Sequence, residues 1–184
     1  IELMIKGYKS GEEVWDWIIP DSWNVNEAYI EDMNGNKLVD YNDSNLHLSA
    51  YSEPFSGIIS HDDLLKHLNF LPDQPDAIPY NFLYYEKGWS FNIKHNSLDM
   101  FKENEYKVHI DVDKKPGELK IAECFLPGEK EDEIVFSTYL CHPSMANDNL
   151  SGVVTGVQLF KYISQIKNRK YSYRLLIMPE TIGP

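Results

Sequence analysis

The sequence contains few cysteines and no long apolar segment. Cys124 and Cys141 are its only cysteines in 184 residues, which is too few for the disulfide framework of a small secreted domain. No apolar run approaches the roughly 20 residues that a membrane-spanning helix needs, and no basic segment precedes an apolar one at the N-terminus, as it would in a signal peptide. We therefore expect reduced thiols, a cytoplasmic location and no membrane partner.

Basic residues are also scarce. The chain has 17 Lys and Arg against 29 Asp and Glu, a net charge of -12, and such a surface repels nucleic acids and anionic lipids. The 42% hydrophobic and 13% aromatic content excludes a disordered chain and suffices for one or two domains with a core. Because the chain runs from Ile1 to Pro184 without an initial Met, we expect it to be a fragment of a longer polypeptide.

The first two thirds of the sequence are typical of a β-rich α+β segment made of antiparallel pairs. Asn34-Gly35 between two strand-like runs predicts a hairpin. Ser60, with Asp63 three residues later, predicts the start of a helix whose apolar face continues to Leu71. Alternating or continuous apolar runs predict strands at 14–19, 28–33, 37–41, 47–51, 55–59, 107–112 and 118–125.

The pattern changes after Pro127-Gly128. Residues 134–140 are almost continuously apolar, as in a strand buried on both faces, and residues 173–178 form a second such run. Between them, apolar residues recur at helical spacing from Leu150 to Ile163. Strand, helix and strand in this order predict a βαβ unit with two parallel, adjacent strands. Gly152 and Gly156 would let the helix lie close to the sheet.

Three side chains of the metal-binding type lie at the same predicted sheet edge. His142 follows the first strand, Asp148 precedes the helix and Glu180 follows the second strand. Ligands bind at the carboxyl edge of a parallel sheet, and imidazole and carboxylate groups are ordinary zinc ligands. Zinc lowers the pKa of a bound water to about 7, so Glu180 could accept a proton from this water as it attacks a carbonyl.

Each of these residues also has a simpler interpretation when it is taken alone. His142 could be a hydrogen-bonded loop residue, Asp148 could be the N-cap of the helix, and Glu180 could be a solvated acid. Only their common position at one edge of the βαβ unit favours a metal site. The other histidines lack a partner at metal-binding spacing, and we expect them to be surface or packing residues: His47, His61, His67, His95 and His109.

Segment 137–152, Ser-Thr-Tyr-Leu-Cys-His-Pro-Ser-Met-Ala-Asn-Asp-Asn-Leu-Ser-Gly, resembles the zinc aminopeptidase superfamily. Members of that superfamily carry a metal-binding His after a strand and an Asp-Asn-x-Ser-Gly motif at the start of a helix. The chain is most similar to a bacterial branch of aminopeptidase-like proteins with an inserted β-rich domain. Further segments similar to that branch lie at 15–17, 28–30, 34–36, 54–57, 79–80 and 171–174.

The resemblance implies an α/β fold, part of a zinc-exopeptidase-like αβα sandwich with a mostly parallel sheet, plus an inserted β-rich α+β domain. Residues 1–24 and 116–184 would form part of the catalytic domain, and residues 25–115 the insertion. A complete site would hold two zinc ions, with His142 on one ion and Asp148 bridging both. The Asp148–Asn149 peptide bond would be cis, and the substrate would be a peptide or an aminoacyl compound.

The sequence also departs from the superfamily pattern. Position 181 is Thr where a second Glu is common, so Glu180 could be the general base or a metal ligand. Ser144 stands where many members have an Asp that orients the metal-binding His, and two later ligands, an Asp and a His, are not in this sequence. These departures keep a second hypothesis open, a catalytically inactive binding or scaffold protein linked to cell-surface polysaccharide biosynthesis.

Overall fold

The computed structural model describes residues 2–14, 16–142 and 144–179. Its strands and α-helices are β1 (Leu3–Lys9), β2 (Glu13–Val14), β3 (Trp17–Ile18), β4 (Ser22–Glu31), β5 (Lys37–Asp40), β6 (Phe55–Ser60), α1 (His61–Leu65), β7 (Leu68–Asn69), β8 (Phe91–Asn92), β9 (Glu105–Lys115), β10 (Glu118–Leu126), β11 (Glu133–Tyr139), α2 (Ser151–Ser164) and β12 (Ser172–Met178). The chain divides into two compact units. Unit 1 comprises Ile1–Asp21 and Pro116–Pro184, and unit 2 comprises Ser22–Lys115.

Unit 2 is built on a four-stranded antiparallel sheet in the order β5-β4-β9-β6. The predicted hairpin around Asn34-Gly35 is confirmed, because β4 and β5 pair on either side of it and Gly35 has a φ of +86°. A positive φ of this size costs glycine little and other residues more. The core of the unit consists of Ala28, Ile30, Val39, Leu48, Leu64, Leu68, Trp89, Phe91, Ile93, Phe101, Tyr106, Val108 and Ile110.

Two predictions within unit 2 are wrong in extent. Ser60 does cap α1, accepting a hydrogen bond from the Asp63 amide at 3.2 Å, but the helix ends at Leu65 instead of continuing to Leu71. The chain then forms β7, where Leu68 is paired with Phe91, because tertiary pairing outweighs the helical spacing of the leucines. The predicted strand at 47–51 is replaced by a 3₁₀ turn at Asn45–His47 and isolated bridges at Leu48 and Ala50.

Unit 1 contains a mixed sheet in the order β1-β10-β12-β11. The predicted βαβ unit is confirmed, since β11 and β12 are adjacent and parallel and α2 connects them. The prediction of a mostly parallel sheet is wrong for the described strands, because β10 is antiparallel to both β1 and β12. The connection between β10 and β11, residues 127–132, is short, and these two strands run in opposite directions on either side of β12. Parallel strands would need a long crossover connection.

The beginning of unit 1 also differs from the prediction. The single strand expected at 14–19 is instead a pair of two-residue antiparallel strands, in which Val14 pairs with Trp17. The sequence pattern missed β1, whose partners in β10 lie more than a hundred residues away along the chain. A small core under the sheet comprises Cys124, Phe160 and Leu175, with Leu126, Phe136, Tyr173 and Ile177 packed against it.

None of the helices within the described ranges is long and apolar enough to span a bilayer.

Candidate metal centre

The carboxyl ends of β11 and β12 meet at one edge of the unit 1 sheet. Tyr139, the last residue of β11, pairs with Met178, the last residue of β12. The loop after β11 leads through His142 to a π-helical turn at Ala146–Leu150, which precedes α2. This arrangement brings His142 Nδ1 to 3.9 Å from Asp148 Oδ1, so two of the three predicted site residues lie together. Glu180, the third, is outside the described residues.

The imidazole of His142 is held in a mostly buried position. Its side chain is 15% exposed, and the ring of Tyr139 packs edge-on against it, with 5.8 Å between ring centroids and an interplanar angle of 76°. Cys141 Sγ lies 3.5 Å from His142 Nδ1. Cys141 is half-buried beside the imidazole. Strand alternation does not separate the two side chains, because β11 ends at Tyr139.

The carboxylate of Asp148 is more accessible, with 54% of its side chain exposed. The Tyr139 hydroxyl donates a hydrogen bond to Asp148 Oδ1. Within the π-helical turn, Asp148 and Asn149 have non-helical backbone angles. The peptide bond between these two residues is cis, as the resemblance to the zinc aminopeptidase superfamily implies. The carboxylate lies 3.9 Å from His142 Nδ1 and belongs to a non-helical segment that precedes α2.

Asn149, and not Asp148, supplies the capping interaction at the start of α2. Asn149 Oδ1 accepts a hydrogen bond from the Gly152 amide at 3.0 Å, which satisfies one of the amide groups left without a partner in the first helical turn. Asn149 Nδ2 donates to Thr138 Oγ1 at 2.9 Å. The simpler interpretation of Asp148 as an N-cap is therefore not supported.

The two glycines of α2 have different roles. A Cβ atom at Gly156 would lie 3.2 Å from Leu175 Cδ1 on β12, which agrees with the expected close packing of the helix on the sheet. A Cβ atom at Gly152 would collide with the Asn149 side chain. Gly152 is thus needed by the capping interaction. A cavity of about 470 Å³, lined mainly by residues of β11 and α2, includes Tyr139 and Asn149 in its wall.

The remaining histidines of the sequence take part in packing or hydrogen bonding. His67 stacks on Trp89 with ring centroids 3.9 Å apart, and His47 Nδ1 lies 2.8 Å from the Asn92 carbonyl oxygen. Within residues 2–14, 16–142 and 144–179, no three His, Cys, Asp or Glu side chains form a group that could hold a metal ion. His142 and Asp148 therefore need at least one further ligand to form a complete site.

Two residues of the site were not identified by the sequence pattern. In the sequence, Tyr139 is predicted only as part of a buried strand. Its contacts with His142 and Asp148 depend on the path of the chain between β11 and α2. Asn149 carried a usable signal, because Asn is among the preferred N-cap residues. Asp is among them as well, so the sequence alone could not decide between Asn149 and the neighbouring Asp148.

Known proteins resemble this chain in sequence and in fold. A Clostridium acetobutylicum protein named "Putative polysaccharide biosynthesis protein with aminopeptidase-like domain" is 42% identical over 183 residues. A crystal structure described as a "putative peptidase" from the same organism matches with a TM-score of 0.92 and 42% identity. The match covers 100% of this chain in both cases. The chain spans only 42% and 43% of these two relatives.

More distant structures share the fold alone. BSAP, a zinc aminopeptidase from Bacillus subtilis, has a TM-score of 0.58 at 11% identity, over 96% of this chain and 50% of that protein. An aminopeptidase from Aneurinibacillus sp. strain AM-1 has a TM-score of 0.52 at 12% identity, over 99% and 54%. The fold is thus a mixed α/β fold similar to that of aminopeptidases. A family model matches residues 1–184, and the chain belongs to that family, described as a domain of unknown function (DUF4910).

Proposed function

We propose that the protein carrying this chain is a zinc-dependent hydrolase of the aminopeptidase type, acting on peptide or aminoacyl amide bonds. The observation that carries the proposal is the approach of His142 and Asp148 to 3.9 Å at the carboxyl edge of the βαβ unit. The similarity of the fold to zinc aminopeptidases supports the choice of metal and reaction.

The donor atoms of this pair suit a zinc ion. Two ligand bonds of about 2.1 Å at a tetrahedral angle separate the donor atoms by roughly 3.4 Å, close to the 3.9 Å between His142 Nδ1 and Asp148 Oδ1. Burial of the imidazole limits its rotation. Because Asn149 performs the capping interaction, the Asp148 carboxylate is available to a cation. The two side chains therefore fit the proposed metal, as part of a larger ligand set.

We assign His142 and Asp148 as zinc ligands and Glu180 as the general base. Zinc bound here would act as a Lewis acid and supply an acidic water near neutral pH, and two ions are expected in the complete site. In the sequence, Glu180 follows the last residue of β12 by two positions, and we assign it the role of accepting a proton from this water. His142 and Asp148 would hold the zinc ion at the carboxyl edge of the βαβ unit.

We further propose that unit 2 is a domain inserted into the catalytic domain, part of which is unit 1. The first residue of β4 pairs with the last residue of β9, Ser22 with Lys115. The chain thus enters and leaves unit 2 at adjacent points, as an insertion requires. The sequence has only two cysteines, Cys124 and Cys141, too few for the disulfide framework of a small secreted domain, which supports our assignment to the cytoplasm.

A second function is supported by a separate observation. A relative with 42% identity is named for polysaccharide biosynthesis, and positions 144 and 181 are Ser and Thr where zinc aminopeptidases often have acids. A catalytically inactive binding or scaffold protein of cell-surface polysaccharide biosynthesis would retain the fold without needing those acids. Such a protein would fold normally, contain no zinc and hydrolyse no amide.

The test uses the protein as its natural gene encodes it. Zinc content is measured by elemental analysis, and hydrolysis is measured on a panel of aminoacyl anilides. The proposal expects zinc and turnover in the wild type and loss of both in Asp148→Ala and His142→Ala. Asp99→Ala, which changes an exposed acid of unit 2, is the matched control. An Asp148→Ala variant with unchanged zinc content would contradict the metal assignment, and a folded, metal-free and inert wild type would favour the scaffold.

A further inference from the structure

One aromatic side chain touches both candidate ligands. The hydroxyl of Tyr139 donates a hydrogen bond to Asp148 Oδ1, and the ring of the same residue packs edge-on against the His142 imidazole at a centroid distance of 5.8 Å. A single residue therefore restrains the carboxylate through its hydroxyl and the imidazole through its ring.

The backbone of Tyr139 is itself anchored on two sides. Tyr139 pairs with Met178, and the next amide, that of Leu140, donates to the Met178 carbonyl at 3.0 Å. The Tyr139 carbonyl accepts a hydrogen bond from Asn149 Nδ2 at 3.4 Å. The phenol thus projects from a point that is tied both to β12 and to the turn that carries Asp148. Such anchoring is what a residue needs to hold another group in one orientation.

We propose that Tyr139 is a positioning residue for the metal centre, and that it orients the Asp148 carboxylate and the His142 imidazole for metal binding. This inference rests on the proposed zinc function. Outer hydrogen-bond partners of metal ligands fix ligand orientation, and their loss typically weakens metal affinity about 10–100-fold. The hydroxyl and the ring act on different ligands, so their contributions can be separated by substitution.

Three variants make this separation. Tyr139→Phe removes the hydroxyl and retains the ring, and Tyr139→Leu removes both. Tyr162→Phe removes a hydroxyl from a tyrosine on α2 that is 67% exposed, and it serves as the matched control. Zinc affinity of the natural-length protein is measured by competition with a chromophoric chelator. The visible absorption spectrum of the cobalt-substituted protein reports coordination geometry independently of activity, and thermal unfolding of the metal-free proteins reports folding.

We expect Tyr139→Phe to weaken zinc binding at least about 10-fold and to alter the cobalt spectrum, while the metal-free variant unfolds near the wild-type temperature. Tyr139→Leu should weaken binding further, and Tyr162→Phe should match the wild type. Zinc affinity and cobalt spectrum of Tyr139→Phe equal to those of the wild type would overturn the positioning role and leave the zinc proposal intact. A wild type that binds neither metal would overturn both.

Discussion

Asn149 Oδ1 accepts a hydrogen bond from the Gly152 amide at 3.0 Å. The same side chain donates to Thr138 Oγ1 at 2.9 Å, so one amide group joins the end of β11 to the start of α2. The cap at the start of α2 therefore does not use the adjacent acid, Asp148. Its carboxylate contacts Tyr139 and His142 instead.

Removing the Asn149 amide should therefore loosen the βαβ unit. Asn149→Ala loses the capping acceptor and the donor to Thr138, and we expect the free energy of unfolding to fall by roughly 1–3 kcal/mol. Asn149→Asp keeps an acceptor for the Gly152 amide and should cost less. Urea denaturation measures both effects. Asn168→Ala, at an exposed position of unit 1, should change the midpoint little, and an Asn149→Ala midpoint equal to that of the wild type would show that the cap is dispensable.

Alanine substitution should distinguish the two glycines of α2. Replacing glycine by alanine within a helix usually stabilises a protein by about 0.5–1 kcal/mol. At Gly152 the new Cβ would collide with the Asn149 side chain, so we expect a loss of roughly 1–3 kcal/mol instead. At Gly156 the nearest atom is the flexible end of Leu175 at 3.2 Å, so the two effects should nearly cancel. Thermal unfolding of the two variants checks the order, and a Gly152→Ala protein as stable as Gly156→Ala would refute it.

Local patterns predicted the parts of the fold that depend on neighbouring residues. The Asn34-Gly35 hairpin follows from a turn that requires a positive φ, and the β11–α2–β12 unit follows from two apolar runs on either side of a segment with helical spacing. Pairings between distant segments were not predictable in this way. β1 was missed because its seven residues are all exposed and its partner strand is remote in sequence.

The candidate site also combines features that local sequence patterns predict with features that they do not. His142 and Asp148 were predicted because their residue types and their places next to one strand and one helix are visible in the sequence. The contacts of Tyr139 and Asn149 depend on a π-helical turn with non-helical backbone angles at Asp148 and Asn149. A periodic pattern does not specify such a turn, so neither residue's role could be derived without the structure.

The mostly buried carboxylate of Glu123 should contribute to the stability of unit 1. Its side chain is 5% exposed and pairs with Lys6 Nζ at 2.5 Å and with Arg174 Nη1. Glu123→Gln removes the charge between two cations, and we expect a loss of about 2–4 kcal/mol, slightly less than for a fully buried pair because the cations are partly solvated. Urea denaturation at neutral pH provides the measurement.

Glu133 offers a matched control for this substitution. It pairs with the same residue, Arg174, at 2.7 Å, but its side chain is 33% exposed. Glu133→Gln should therefore cost about 1 kcal/mol or less, as partly exposed ion pairs usually do. Equal losses for Glu123→Gln and Glu133→Gln would show that burial does not determine the contribution of these charges.

Asp32 should make the stability of unit 2 depend on acidic pH. Its carboxylate accepts hydrogen bonds from Asn36 Nδ2 at 2.7 Å, from the Asn36 amide at 2.8 Å and from the Asn34 amide at 2.9 Å. These bonds, first among them that from the Asn36 side chain, hold the pKa of Asp32 below its ordinary value of 3.8. A carboxyl group whose pKa is lower in the folded than in the unfolded state stabilises the fold at any pH above its unfolded-state pKa. This stabilisation is lost as the pH falls through the folded-state pKa.

The comparison of wild type with Asp32→Asn isolates this contribution. Asparagine cannot ionise and offers only one acceptor oxygen, so the variant should be less stable at pH 7, and the difference should shrink once the pH falls below about 4. Urea midpoints at several pH values between 7 and 3 measure the difference. Asp99→Asn, at an exposed position, should parallel the wild type. A gap between wild type and Asp32→Asn that stays constant over this range would mean that hydrogen bonding to the ionised carboxylate does not stabilise the hairpin.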